Sequence, residues 1–192
     1  NNFCTMNPLD NYYAGATFAE GNCQVSTSGN VTYPTATMGV SAGKWYWEVK
    51  FVNATGSGGA GDNQFIGIVE KPSTGTTITQ GNSGFQNYFL AYNGQIRWAG
   101  SDLSYADTYT DGDIIGVALD LTNNKIYFSK NGAWATGDGG WDSTTFDAAV
   151  GDQAVTAVTS TSTGNYFPTL CYEDTKNGNF NCNFGGCPSF TI

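Results

Sequence analysis

Histidine is absent from this 192-residue chain. That absence removes Ser-His-Asp and Cys-His catalysis, imidazole acid–base chemistry and His-ligated zinc. Basic residues are scarce: seven Lys+Arg face sixteen Asp+Glu, for a formal net charge of −9. A nucleic-acid binder needs a basic surface that releases phosphate counterions, and an anionic membrane attracts only such a surface. Neither partner is expected. No CxxC pair is present, so a zinc ribbon or a thioredoxin-type site has no support. Apolar runs are only a few residues long, too short to span a bilayer. Apolar positions never repeat at i, i+3, i+4 and i+7 over ten residues, so long helices are not expected. Asn1 lacks an initiator Met, a basic n-region and an apolar h-region, which reads as a mature product or a fragment.

Aromatic residues make up 15% of the chain, too many for a disordered tail. The twenty-six glycines follow no G-X-Y period, which excludes collagen. Short alternating runs rich in Val, Ile, Thr, Tyr and Phe lie between Gly, Asn and Asp. This is an all-β pattern. Strands are expected near Thr17–Cys23, Asn30–Thr37, Gly43–Val52, Asn63–Val69, Asn87–Tyr92, Gln95–Ala99, Ile114–Asp120, Lys125–Lys130, Tyr166–Tyr172 and Asn179–Phe184. Asn53–Asp62 and Lys71–Gly84 read as glycine-rich loops, and Asp138–Thr163 has room for a further strand or helical turn.

Three hairpins are expected. Asn123-Asn124 tolerate the positive φ of a two-residue turn, which would set Leu119 opposite Phe128 and Leu121 opposite Ile126. Tyr92-Asn-Gly-Gln95 forms a second. The Asn177-Gly178 step suggests a third, placing Cys171 opposite Cys182. Opposed Cβ atoms lie about 4.5–5.5 Å apart, just above disulfide spacing, so neighbouring sulfurs are expected and bonding stays open. Five cysteines leave one thiol over or paired with another chain.

Several motifs together resemble the SPRY domain family. Gly43-Lys-Trp-Tyr-Trp-Glu-Val49 resembles its opening strand, and Asp111-Gly-Asp-Ile-Ile-Gly-Val-Ala-Leu-Asp120 its central strand. Ile126-Tyr-Phe-Ser-Lys-Asn-Gly132, Tyr166-Phe-Pro168 and Asn183-Phe-Gly185 resemble its later strands, in order. The resemblance implies a two-layer antiparallel β-sandwich of the concanavalin A-like jelly-roll type, with recognition through loops. Residues 40–192 would form this sandwich and 1–39 would supply strands leading into it and packing on it. On this reading Trp45 and Trp47 share the core face of one strand and Tyr46 takes the other. Asp111-Gly112-Asp113 is a turn whose carboxylates accept N–H bonds, Glu48 is structural, and Phe184 and Phe190 close the bottom of the core. Upstream, Asn2-Phe-Cys-Thr-Met-Asn-Pro-Leu9 resembles what precedes such domains in tailed-phage structural proteins. That second likeness implies a virion-surface location in a tail fibre, receptor-binding tip or capsid decoration, with trimerisation through a parent fibre.

Carbohydrate binding is the first candidate chemistry. Trp98, Trp134 and Trp141 sit near turns, with Asp102, Asp138 and Asp142 close in sequence and Tyr88 and Tyr105 available to add rings. Indoles stack on sugar faces while carboxylates take hydroxyls. Asp138-Gly-Gly-Trp-Asp142 lacks the glycine and the bidentate glutamate of a helix-loop-helix calcium site, so no metal is expected. The four glutamates, Glu20, Glu48, Glu70 and Glu173, form no paired cluster of the kind a glycoside hydrolase needs. No enzyme activity and no cofactor are expected. Asn30-Val-Thr32 and Asn53-Ala-Thr55 are glycan acceptors only in a eukaryotic secretory pathway. The leading expectation is a non-enzymatic recognition or structural module on a virion surface, binding a host-surface glycan, a protein receptor or a neighbouring virion protein. The alternatives are a cellular SPRY-type adaptor that binds a short peptide and a concanavalin-like glycoside hydrolase.

Overall fold

In the computed structural model, residues 3–12, 15–27, 33–55, 64–71, 87–98, 101–136, 140–143, 155–156, 165–172 and 177–186 are described. At 11–12, 53–55, 71, 87, 98, 101–103, 141–143, 155–156, 171–172 and 177 the description covers the backbone alone. The strands are β1 (Met6–Tyr12), β2 (Ala16–Ala19), β3 (Gln24–Thr27), β4 (Tyr33–Ala36), β5 (Lys44–Thr55), β6 (Gln64–Lys71), β7 (Asn87–Ala91) and β8 (Gln95–Trp98). They continue as β9 (Ser101–Ser104), β10 (Ile114–Asp120), β11 (Lys125–Lys130), β12 (Ala133–Ala135), β13 (Trp141–Ser143), β14 (Val155–Thr156), β15 (Asn165–Tyr172) and β16 (Asn177–Asn183).

These strands form two antiparallel sheets. One has seven strands in the order β1-β4-β15-β6-β7-β8-β9. The other has nine, β13-β12-β11-β10-β5-β16-β3-β2, with β14 beside β11. The strand period of two sends Ile115, Val117 and Leu119 of β10 and Ile126 and Phe128 of β11 inward. Trp47, Val49 and Phe51 of β5 join them, with Phe180 and Cys182 of β16. Ile66 and Ile68 of β6, Tyr88 and Leu90 of β7, and Tyr166 and Leu170 of β15 are buried in the same cluster. Phe51 anchors the middle, 5.4 Å from the Phe180 ring and 5.7 Å edge-on from Tyr109. Such ring pairs add about 0.5–1.5 kcal/mol to what area burial contributes.

The seven-stranded sheet is buried on its second face too. Tyr33, Phe65, Val69, Phe89 and Ala91 form a separate buried cluster there. All the residues from Gln64 to Glu70 are buried, the pattern of a strand covered on both sides. Arg97 lies over the Phe65 ring, 4.7 Å from its centroid.

Three expectations are corrected. Cys171 and Cys182 do not face each other across a hairpin. Cys171 aligns with Phe65 in the seven-stranded sheet, and Cys182 with Val49 in the other. Asn177-Gly178 is not a turn but the start of β16, where the Gly178 backbone exchanges hydrogen bonds with the Thr27 hydroxyl. Each of these strands carries core-facing rings, so each closes the interior from its own side. Next, β10 and β11 pair with Val117 opposite Phe128 and Leu119 opposite Ile126, two residues from the expected register. Asp120 makes the difference. Its carboxylate accepts from the Thr122 and Asn123 backbone N–H groups and the Asn123 amide, which holds a longer turn over Leu121–Asn124, with Asn124 at φ 57°. Finally, the run expected as one strand over Thr17–Cys23 breaks at Glu20–Asn22, where all three residues have positive φ. β2 and β3 therefore form a hairpin, pairing Phe18 with Val25.

The Tyr92–Gly94 turn is present, with Gly94 N–H donating to the Ala91 carbonyl. Asp113 accepts from the Thr110 backbone and hydroxyl and from the Asn131 amide, as a turn carboxylate should. Phe184 packs against the core, while Phe190, both expected glycine-rich loops beyond their strand ends and most of Asp138–Thr163 lie outside the described residues.

Candidate functional site

The candidate site lies on the outward face of the nine-stranded sheet. Strand register lays its side chains out in rows. Tyr46 of β5, Ala118 of β10 and Tyr127 of β11 stand abreast. In the next row Glu48, Gly116, Ser129 and Trp134 are neighbours across β5, β10, β11 and β12. On the other side, Asp120 lies between Lys44 and Lys125. Small residues in the middle strand thus make a floor, and aromatic residues on its neighbours make walls.

Tyr46 is 53% exposed, yet its hydroxyl is fixed, donating to Glu48 Oε1 at 2.9 Å. Burial, then the bond to Glu48 and its charge, push the phenol well above its ordinary range, so it acts as a donor. Glu48 is buried and also takes the Asn183 amide at 3.5 Å, the structural role expected of it. Gly116 is required beneath the Tyr46 ring, because a Cβ there would meet the Tyr46 and Ser129 hydroxyls. The Tyr46 and Trp134 rings lie 6.4 Å apart at 57°.

Trp45 does not follow its strand partner. It has the parity of Trp47 but is 49% exposed, whereas Trp47 is 4% exposed. Trp45 is the second residue of β5, and its indole N–H donates back to the Ala42 carbonyl at 2.7 Å. Two depressions meet at Trp45 and Tyr46. One, of about 270 Å³, has Ala118 as floor and Tyr127, Trp134, Lys44 and Asp120 at its sides. The other, of about 290 Å³, is lined by Phe3, Met38, Val40, Trp47 and Phe184 among others. Phe3 and Met38 are also exposed large apolar residues. Lys44 Nζ sits 3.2 Å from Asp120 Oδ2, with the lysine 71% and the aspartate 15% exposed. An ion pair this open contributes about 0.2–1 kcal/mol and is readily exchanged. Partial desolvation raises the Asp120 carboxyl, but the Asn123, Lys44 and Thr122 bonds outweigh it and hold the group below its ordinary value.

Of the sequence-derived carbohydrate set, the side chains of Tyr88, Tyr105 and Trp134 are described. Tyr88 is fully buried, facing Tyr166 edge-on at 6.2 Å. Tyr105 is buried edge-on against Phe128 at 6.1 Å. Both are core residues, because β7 and the segment before β10 turn those positions inward. Trp98 and Asp102 fall in paired strands β8 and β9, and Trp141 and Asp142 in β13; their side chains lie outside the description, as does Asp138 altogether. Among the members of that set whose side chains are described, Trp134 alone is placed at the aromatic depression. Its neighbours Tyr46 and Tyr127 were missed because both sit in regular alternating strands. The missed signal is small residues, Gly116 and Ala118, at outward positions between two aromatic strands.

Cys4 and Cys182 are thiols, and Cys23 is disulfide-bonded. Burial, then the proximity of Cys4, pushes the Cys182 thiol well above its ordinary range, which favours the protonated form. Among the described residues no group of three or more His, Cys, Asp or Glu is gathered as for a metal ion.

Comparisons with known structures agree with this architecture. The crystal structure of the SPRY domain of human HERC1 aligns over 94% of this chain and 98% of its own, at TM-score 0.66 and 18% identity. A human SPRY domain aligns over 90% and 96% respectively, at TM-score 0.59 and 15% identity. Stonustoxin aligns over 94% of this chain but 27% of its own, at TM-score 0.60 and 17% identity. At these identities the likeness speaks for the fold. The family itself is carried by sequence: residues 44–184 match the SPRY domain, and the chain belongs to that family.

Proposed function

We propose that this chain is a non-catalytic protein-interaction module that holds a short peptide segment of a partner in the depressions around Trp45 and Tyr46. The carrying observation is the exposure of these two rings, 49% and 53%, where the two depressions meet at the start of β5. Exposed aromatic residues framing apolar hollows are the usual anchors of protein recognition. Membership of the SPRY family, a protein-interaction fold, supports the same reading. The cellular-adaptor alternative thus becomes the leading one, and the glycan and virion expectations gain no support from the matched structures.

The test is selection of a random displayed peptide library on the immobilised protein. Enriched peptides should bind in the micromolar range and lose at least about tenfold in affinity with Tyr46→Ala or Trp45→Ala, a difference of about 1.4 kcal/mol. Peptides indifferent to both substitutions would refute the site.

The disulfide at Cys23 favours a second reading of where the module works. An adaptor in a reducing compartment should keep its cysteines as thiols, whereas a disulfide persists in an oxidising one. Thiol counting on protein purified without reductant separates the two.

A further inference from the structure

The aromatic hollow over Ala118 has the parts of a cation site. We propose that it seats a basic side chain of the partner segment, an arginine guanidinium or a lysine ammonium, an inference that rests on the peptide reading above. Three observations carry it.

The first is ring presentation. Trp45 and Tyr46 have their polar tips tied back to Ala42 and Glu48, so they offer the hollow ring surface instead of spare donors. Ring faces are electronegative and attract cations. Tyr46 and Tyr127 stand two strands apart, roughly 9–10 Å, which leaves room for one alkyl-cation head between them. Trp134, 6.4 Å from Tyr46, closes a corner.

The second is charge. Asp120 lies at the side of the hollow and Glu48 at the Tyr46 hydroxyl, in a chain whose net charge is −9. An anionic guest would meet both carboxylates, while a basic segment is drawn in by the whole molecule. The third is that a cation of the chain itself already stands at the rim of the hollow. Lys44 lines it and pairs with Asp120 while remaining 71% exposed. An incoming cation takes the place of Lys44 at the carboxylate, and the lysine swings into water.

This exchange makes an unusual prediction: removing a positive charge from the chain should strengthen binding of a positive ligand through loss of the internal competitor, beyond what long-range attraction gives. The probes are N-acetyl-arginine amide and its uncharged isostere N-acetyl-citrulline amide, followed by indole N–H shifts and tryptophan fluorescence. Arginine should saturate at millimolar concentration and citrulline bind at least about tenfold more weakly. Lys44→Met should tighten arginine about threefold and leave citrulline unchanged, whereas Lys125→Met, on the same row, should change arginine far less. Trp134→Leu, with the fold verified by circular dichroism, should lose the arginine response. Equal binding of the two probes, no response to either, or no gain with Lys44→Met would overturn the cation assignment. Selected peptides that depend on Tyr46 yet lack basic residues would overturn it too and leave the peptide reading standing. Absence of any Tyr46-dependent peptide would remove that reading itself.

Discussion

The two sheets treat their outward faces in opposite ways. In the seven-stranded sheet, Phe65, Val69, Phe89 and Ala91 turn away from the main core and are still buried. In the nine-stranded sheet, the corresponding face keeps Tyr46 half open and frames it with Trp134 and Tyr127. Aromatic content therefore does not mark a site by itself. A ring whose removal costs stability alone is packing, and a ring whose removal also costs binding is recognition. The difference lies in what stands next to it: bulky partners such as Phe65 beside Phe89, 5.9 Å apart, or small ones such as Gly116 and Ala118.

The sharpest way to break this contrast is Phe89→Ala. It should cost about 3–5 kcal/mol in urea unfolding, as for a ring lost from a full core. A cost near zero would show that this face is not a second core. Gly116→Val comes next. The added side chain would push the Tyr46 ring off Glu48, costing about 1–3 kcal/mol and removing peptide binding. Tyr46→Phe takes only the hydroxyl from Glu48, leaving that carboxylate the Asn183 amide, and should cost about 1–2 kcal/mol.

Asp120→Asn has a smaller, pH-dependent effect. The folded state holds this carboxyl below its ordinary value, so its contribution is present above about pH 4 and is lost as pH falls through the folded pKa. Melting curves of wild type and Asp120→Asn should therefore differ at pH 7 and converge in acid. The smallest change in stability should come from Trp45→Ala, within about 0.5 kcal/mol, together with the loss of peptide binding already predicted.

The fold was largely readable because period-two alternation, as in Trp47–Val49–Phe51 and Ile115–Val117–Leu119, is a local signal. Pairing was less so. Asn177-Gly178 has the composition of a turn, but its neighbours on both sides each had a separate sheet to complete, and long-range burial overrode the local preference. The Asp120 turn was misjudged by two residues because a side-chain acceptor, not backbone φ, set its length. The site was mostly illegible. Trp134 was singled out for lying near a turn, whereas Tyr88 and Tyr105, chosen on similar grounds, are core. Exposure depends on which residues stand across the strand, and that is known only once the register is known.

The N-terminal stretch has a consequence for anyone trimming this protein to its matched span. β3 lies beside β16, where Cys182 N–H donates to the Cys23 carbonyl at 2.7 Å, and β4 lies beside β15. A polypeptide begun at residue 44 would leave both of those strands as naked borders, one per layer, each offering unpaired amides to any passing chain. Such a shortened version should clump or exchange segments with its copies, and adding back the first 43 residues as a separate peptide should restore solubility by re-covering both borders at once.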